Sequence, residues 1–343
     1  MIKPKKTVAF VSATYGRDIE RFALQRRSIE RFAPEIPHRV VVHDEDMRLF
    51  EKRFGNARNL ELFSTVELLP ANLETYRRRR DRVARVKIAT QVVKRLPMGH
   101  FKGYLAQQLT KYELARRTDV AHVLVIDSDT VLTRQMTAEV LDTLLVREQK
   151  SICFSIPASA AATDLDEPWR REWHANALKV IGVRAEPESV EITDALTVPS
   201  HASPALLGKM IAHIERLHGM DWRAVLASKF ETFSEFMIYE KFCRYVLPAK
   251  EVAIECPGEE WSLQLFAGMN QSEIDRMLRE NTLSNYYFFL MHSKIKGFNY
   301  ASTFEMVRKH LEDPQPDRAD GLPTAMTTQR QSSTPTESPT STP

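Results

Sequence analysis

The chain has 343 residues, long enough for one large domain or two small ones with a substantial apolar core. With 43% hydrophobic and 27% charged residues and a net charge of +3, it is neither a wholly disordered chain nor a membrane-embedded body, and its charge does not imply nucleic-acid binding. Three widely spaced cysteines, Cys153, Cys243 and Cys256, build neither a disulfide framework nor a zinc cluster and fit a reducing, cytoplasmic setting.

Lys3, Lys5 and Lys6 precede an apolar run, but Val8 to Ala13 is too short for a signal-peptide core and reads as a first strand. Thr14-Tyr15-Gly16-Arg17-Asp18 ends it, and Phe22, Leu24, Ile29 and Phe32 then recur at helical spacing. His38 to His43 gives a second strand with Asp44-Glu45-Asp46 at its end, and Leu60 to Phe63 a third. Asn72 to Leu96 is helical and strongly basic, with Pro97-Met98-Gly99 as its stop. Tyr104 to Ala115 predicts another helix, leading through Asp119 into the apolar strand Val123 to Ile126.

Beyond it, Ser151 to Pro157 is followed by a helix around Trp169 to Ile181. Further helices are expected over Ala205 to His218, Phe233 to Tyr245 and Ser272 to Asn281, with a short strand at Val252 to Glu255. The aromatic-rich Tyr286 to Met291 reads as a buried strand. Strands alternating with helices predict an α/β fold with a mostly parallel central sheet flanked by helices over residues 1–312. Residues 313–343 are rich in Pro, Ser and Thr with almost nothing apolar, the pattern of a disordered tail. No run approaches the roughly 20 apolar residues that span a bilayer, so membrane association is expected to be peripheral.

In an open α/β sheet, ligands sit outside the carboxyl ends of the strands. Asp127 and Asp129 follow the strand Val123 to Ile126, and two hard carboxylates spaced two apart suit Mn²⁺ or Mg²⁺ bound jointly with substrate phosphates. The bland alternative is a strand end with two solvated acids. The same Asp-x-Asp also looks like the nucleophile loop of haloacid-dehalogenase-type phosphatases, yet the later acidic pair of those enzymes has no counterpart downstream here.

The order of elements resembles the GT-A (Rossmann-like) fold of glycosyltransferases over most of the chain. The helix with Gln107, Gln108 and Lys111, the strand, and Asp127-Ser128-Asp129-Thr130-Val131-Leu132 resemble a bacterial family of little-characterised glycosyltransferase-like proteins. More distantly, they are similar to lipopolysaccharide sugar transferases that resemble glycogenin. That resemblance implies a nucleotide-sugar-dependent, hexosyltransferase-like enzyme acting on a glycan or lipid-linked acceptor in surface polysaccharide biosynthesis. It implies a second metal element at His292, with Lys294 meeting the diphosphate, although the relatives' usual Gly after the His is missing.

Ser234-Glu235-Phe236-Met237-Ile238-Tyr239 resembles the Ser-Glu-aromatic-x-x-Tyr segment of the same family and makes Glu235 the candidate base, or an orienting group if configuration is retained. A capped helix N-terminus is its structural alternative. The resemblance also points to Thr14, Tyr15, Arg17 and Asp44 as nucleotide contacts and to Gln108 and Lys111 as donor-sugar contacts. Arg77 to Lys87 is the densest charge in the chain. It lacks interleaved aromatics and any nucleic-acid module, so no nucleic-acid partner is expected; it reads as a solvated basic face or a dock for anionic lipid at the inner face of the membrane. A non-catalytic basic binding module remains the third functional class.

Overall fold

The structure, a computed structural model, describes residues 7–84, 101, 103–157, 168–184, 193–194, 199–258, 260–265, 272–274, 276, 282–291 and 300–312. Its central sheet is built around β1 (Val8–Thr14), all seven residues of which are buried, as in a parallel strand covered on both faces. β2 (His38–Val42) and β3 (Leu60–Ser64) follow in parallel on one side, and β4 (His122–Val125) runs parallel on the other. β10 (Ser200–Ala202) closes the edge antiparallel to β4, giving the order β10-β4-β1-β2-β3.

Successive side chains of a strand point to opposite faces, and β1 divides its residues accordingly. Ala9, Val11 and Ala13 join Val123 and Val125 in a core with Leu105, Leu109 and Tyr112 of the helix Gly103–Arg116. Val8, Phe10 and Leu124 face the other core, with Ile29 and Phe32 of α1 (Ile19–Phe32). A smaller cluster of Phe22, Val40, Val42 and Phe50 seats the helix Met47–Phe54.

After β4 the chain turns into β5 (Thr130–Leu132), which pairs antiparallel with β13 (Phe288–Met291); β13 pairs parallel with β12 (Ser262–Leu265). A third sheet joins β6 (Val146–Arg147), β7 (Lys150–Phe154) and β11 (Val252–Glu255). β8 (Ile156–Pro157) pairs with β9 (Thr193–Asp194). The Asp127-Ser128-Asp129 segment is therefore the corner between two sheets.

The α/β class and mostly parallel central sheet are those expected, and the main elements fall within a few residues of their predicted spans. The basic helix is described over Ala71–Ala84 and the rest of its predicted span lies outside the described residues, as does the expected tail 313–343. Of the predicted helix Ser272 to Asn281, positions 272–274 and 276 are described and helical. The helices Ala138–Leu145, Trp222–Lys229 and Tyr300–Glu312 and the strand β12 were not anticipated. No helix among the described residues is long and apolar enough to cross a membrane.

Candidate active site

From β1 the chain proceeds to β2 and β3 on one side of the sheet and returns to β4 on the other. The switch lies between β1 and β4, and α1 and the helix Gly103–Arg116 cover opposite faces of the sheet, so the crevice that such a switch point makes lies outside the two carboxyl ends. Thr14 at the end of β1 and Asp127 and Asp129 just after β4 border that crevice. The Thr14 Oγ1 is buried with no hydrogen-bond partner among the described residues.

The Asp127 carbonyl accepts from the Thr130 amide at 2.9 Å, which closes a turn over Ser128 and Asp129. The Met291 amide donates to the Asp129 carbonyl at 3.1 Å and fastens the turn to β13. The side chain of Asp127 is 40% exposed, whereas Asp129 Oδ1 is buried and has no hydrogen-bond partner among the described residues. Burial first, then the charge of Asp127, pushes the Asp129 carboxyl up to about 7, with Asp18 adding and Arg21 opposing.

An orphaned carboxylate oxygen beside a second carboxylate is a donor set that fits a hard divalent cation. Among the described residues no group of three or more His, Cys, Asp or Glu is placed to hold a metal ion. The expected partners His292 and Lys294 lie outside the described residues.

Lys111, at the inner face of its helix, joins two expected site residues. Its Nζ lies 2.8 Å from Asp127 Oδ1 and 2.7 Å from Glu235 Oε1, with the Lys111 and Glu235 side chains only 6% and 4% exposed. Burial opposes the Lys111 charge, but the two carboxylates outweigh it and hold the ammonium well above its ordinary range. Burial raises Glu235, and Lys111 pulls it part of the way back. The Gln108 Oε1, one turn before Lys111 on its helix, accepts from the Glu235 amide at 3.1 Å, and Ser234 caps a second helix, Glu235–Tyr245, through the Met237 amide. Glu235, expected as a base, is thus an enclosed carboxylate committed to Lys111, a geometry that suits orienting better than collecting a proton from an outside hydroxyl.

The nucleotide side of the expected site is engaged within the protein. Tyr15 stacks on His43 with centroids 5.5 Å apart and planes at 26°. The Gly16 amide donates to Asp46 Oδ2 at 2.7 Å, and a Cβ there would meet Asp46 Oδ1 at 2.7 Å, so a side chain at this position would push that carboxylate aside. Asp44 accepts from Ser64 at 2.8 Å and pairs with Arg78 at 2.7 Å, so its carboxylate is already satisfied. Arg17 is exposed.

The basic helix departs from expectation. Arg77 has a side chain 0% exposed and binds Glu74 and Glu45, each at 2.6 Å, so the densest run of charge is not a uniformly solvated face. Burial raises Glu45, but the Arg77 hydrogen bonds overcome it and bring the carboxyl down to about 2. Arg79 and Arg82 do face solvent.

Other residues join the crevice without a motif to announce them. Asp18 bonds the Tyr15 hydroxyl and pairs with Arg21 at 2.9 Å, within electrostatic reach of the aspartate corner. Gln25 donates from Nε2 to the carbonyls of Asp127 at 2.6 Å and Thr130 at 3.1 Å. The one available signal was a polar run, Gln25-Arg26 and Ser28, on a helix face otherwise built of Phe22, Ile29 and Phe32. Tyr104, 48% exposed, stacks at 6.5 Å on Trp173, which meets the 40% exposed Trp169 at 4.6 Å.

Residues 5–257 match the model of a family described as a family of unknown function (DUF6492). No curated protein matches the chain. Among solved structures, the galactosyltransferase LgtC in complex with donor and acceptor sugar analogs is similar at 12% identity and a TM-score of 0.38, over 90% of this chain and 98% of that one. Mouse xyloside xylosyltransferase 1 in its apo form is similar at 8% identity and a TM-score of 0.42, over 84% of this chain and 99% of that one. A 4-diphosphocytidyl-2C-methyl-D-erythritol synthase from Anaerococcus prevotii DSM 20548 is similar at 12% identity and a TM-score of 0.37, over 74% and 90% respectively. At such TM-scores none of them informs the site or the activity.

Proposed function

This chain belongs to the DUF6492 family, and from that premise we propose that it is a metal-dependent glycosyltransferase that moves a sugar from a nucleotide-sugar donor to a glycan or lipid-linked acceptor. The observation that carries the reading is the aspartate corner: two carboxylates at the switch point of a mostly parallel sheet, one with a buried oxygen that no described residue satisfies. The resemblance of the Asp127-Ser128-Asp129 corner and the Ser234-Glu235 segment to GT-A enzymes gives it its chemical direction.

Asp127 and Asp129 would hold Mn²⁺ or Mg²⁺, with His292 as the further ligand that the resemblance suggests. The ion would neutralise the charge that develops on the departing nucleoside diphosphate. Lys111 fixes the rotamer of Asp127 and lends a positive charge to the crevice, and Glu235 holds Lys111 in that position. Lys294 would meet the diphosphate as a point charge. Thr14, whose hydroxyl no described residue satisfies, and Arg17, exposed at the crevice rim, remain available to the nucleotide, while the Tyr15–His43 pair presents an aromatic wall. Tyr104 lies one and two helical turns before Gln108 and Lys111, so its aromatic group with Trp173 and Trp169 offers a sugar-sized platform beside the corner.

Surface polysaccharide assembly at the cytoplasmic face of the membrane is the setting that a lipid-linked acceptor suggests, with exposed Arg79 and Arg82 as the contact to anionic headgroups. The test is a panel of nucleotide sugars with and without Mn²⁺. The reading expects nucleoside diphosphate from one donor only when the metal is present, and much less from Asp129→Asn. Release of phosphate from simple esters, with no donor turned over, would favour the phosphatase alternative instead.

A further inference from the structure

The aspartate corner is held from behind by a chain of hydrogen bonds whose direction can be worked out atom by atom. It begins at Arg26, whose guanidinium is fixed by Glu30 at 3.1 Å and by the Arg58 carbonyl at 3.0 Å. Arg26 lies 3.2 Å from His38 Nδ1, and because a guanidinium can only donate, that nitrogen must accept. His38 is completely buried, and burial followed by the charge of Arg26 holds it well below its ordinary range, so it is neutral.

A neutral imidazole that accepts at one nitrogen donates from the other. His38 Nε2 therefore donates to Ser12 Oγ at 2.8 Å. The Ser12 hydroxyl is left to donate to Gln25 Oε1 at 3.4 Å. With its oxygen on Ser12, the Gln25 amide must turn its nitrogen to the corner, where it meets the carbonyls of Asp127 and Thr130. Every link allows one polarity only, so the amide has no equivalent flipped state. One turn further along α1, Ser28 Oγ accepts from the Leu132 amide at 3.0 Å, and the same helix holds both ends of the segment from Asp127 to Leu132.

We propose that Gln25 is the positioning residue of the Asp127–Thr130 turn, with the Ser12, His38 and Arg26 relay locking its amide so that both N–H bonds face the turn. Its consequence for metal affinity rests on the reading of Asp127 and Asp129 as metal ligands; its consequence for the turn does not. Groups that orient metal ligands from behind typically change metal affinity by about 10- to 100-fold when removed. The carbonyls of the turn keep part of their backbone bonding without Gln25, since Asp127 still accepts from the Thr130 amide. The loss should therefore be local.

The test uses the full chain and two readouts: Mn²⁺ titration followed by the spin-resonance signal of the free ion, and amide hydrogen exchange of the metal-free protein. Gln25→Leu is expected to weaken Mn²⁺ binding about tenfold or more and to speed exchange at Thr130. Ser12→Ala should act in the same direction and more weakly, and the double variant should be no worse than Gln25→Leu alone, because the relay acts only through Gln25. Ile214→Ala, in the helix Pro204–His218 on the opposite face of the sheet, supplies global destabilisation without touching the relay and should leave both readouts as in the wild type. Unchanged exchange at Thr130 in Gln25→Leu overturns the proposal, as does an unchanged affinity in a protein that binds Mn²⁺, or an equal effect from Ile214→Ala. If the wild type binds no Mn²⁺, the metal reading fails, and the exchange result alone decides whether Gln25 positions the turn.

Discussion

At the end of β2, Asp44 and Glu45 meet Glu74, Arg77 and Arg78, and each carboxylate finds a guanidinium at 2.6 or 2.7 Å. At the ends of β1 and β4, a few residues away in the same sheet, Asp127 and Asp129 share a crevice with Asp18 and only part of that compensation. The first cluster drives Glu45 down to about 2, and the second drives Asp129 up to about 7. Both are dense in charge; the difference is that, among the described residues, one is complete and the other still lacks positive charge. Unsatisfied charge, rather than charge density, separates a binding site from a brace.

Substitutions on the two sides should fail in different ways. The largest effect is expected from Asp129→Asn, which should lower donor turnover about a thousandfold, or ~4 kcal/mol of transition-state stabilisation, while leaving the metal-free protein as stable as the wild type or more so. Steady-state kinetics beside a melting curve check it, and equal loss of both would erase the distinction. Arg77→Met attacks the other cluster by leaving Glu45 and part of Glu74 unpaired, and should cost about 3 kcal/mol in urea unfolding. Lys111→Met should fall between the two types, losing about 2 kcal/mol because Glu235 stays buried without its partner; Glu235→Gln in the same chain should return much of it.

The pH dependence should also take opposite signs. Folding raises Asp129 from its ordinary 3.8, so the folded chain holds that proton more tightly, and the metal-free protein should lose stability as pH rises from about 4 through about 7. Asp129→Asn should therefore gain on the wild type across that window in paired melting curves. Glu45 is lowered from 4.5, so its contribution is present above that value and lost as pH falls toward 2, a small effect for a side chain 46% exposed. Smallest of all, Arg79→Ala and Arg82→Ala should each change stability by less than about 0.5 kcal/mol, and a larger loss by urea unfolding would mean that the brace extends along the helix.

Much of this contrast could be read from the sequence, for identifiable reasons. β1, β4 and the helix Gly103–Arg116 carry strong apolar patterns because both faces of the sheet are covered, and that placed Asp127 and Asp129 at a strand end. Glu74 lies three and four residues before Arg77 and Arg78, so part of the brace was open to view as helical spacing, but Glu45 arrives from another element and could only be seen in the fold. Gln25 and Lys111 work through contacts to residues 102 and 16 positions away, and no local pattern marks which polar residue of a helix will face inward. β12, four residues of Ser-Leu-Gln-Leu, is too short to show a period.

The most direct test of the central claim, that the aspartate corner still lacks positive charge and binds a metal with a nucleotide sugar, is the thermal shift given by a donor panel with and without Mn²⁺. A donor at a hundredfold excess over its dissociation constant stabilises the folded state by about 2.7 kcal/mol. One donor should raise the melting temperature of the wild type only when Mn²⁺ is present, and should leave Asp129→Asn unmoved. No metal-dependent shift from any donor, or the same shift in the variant, would contradict the account.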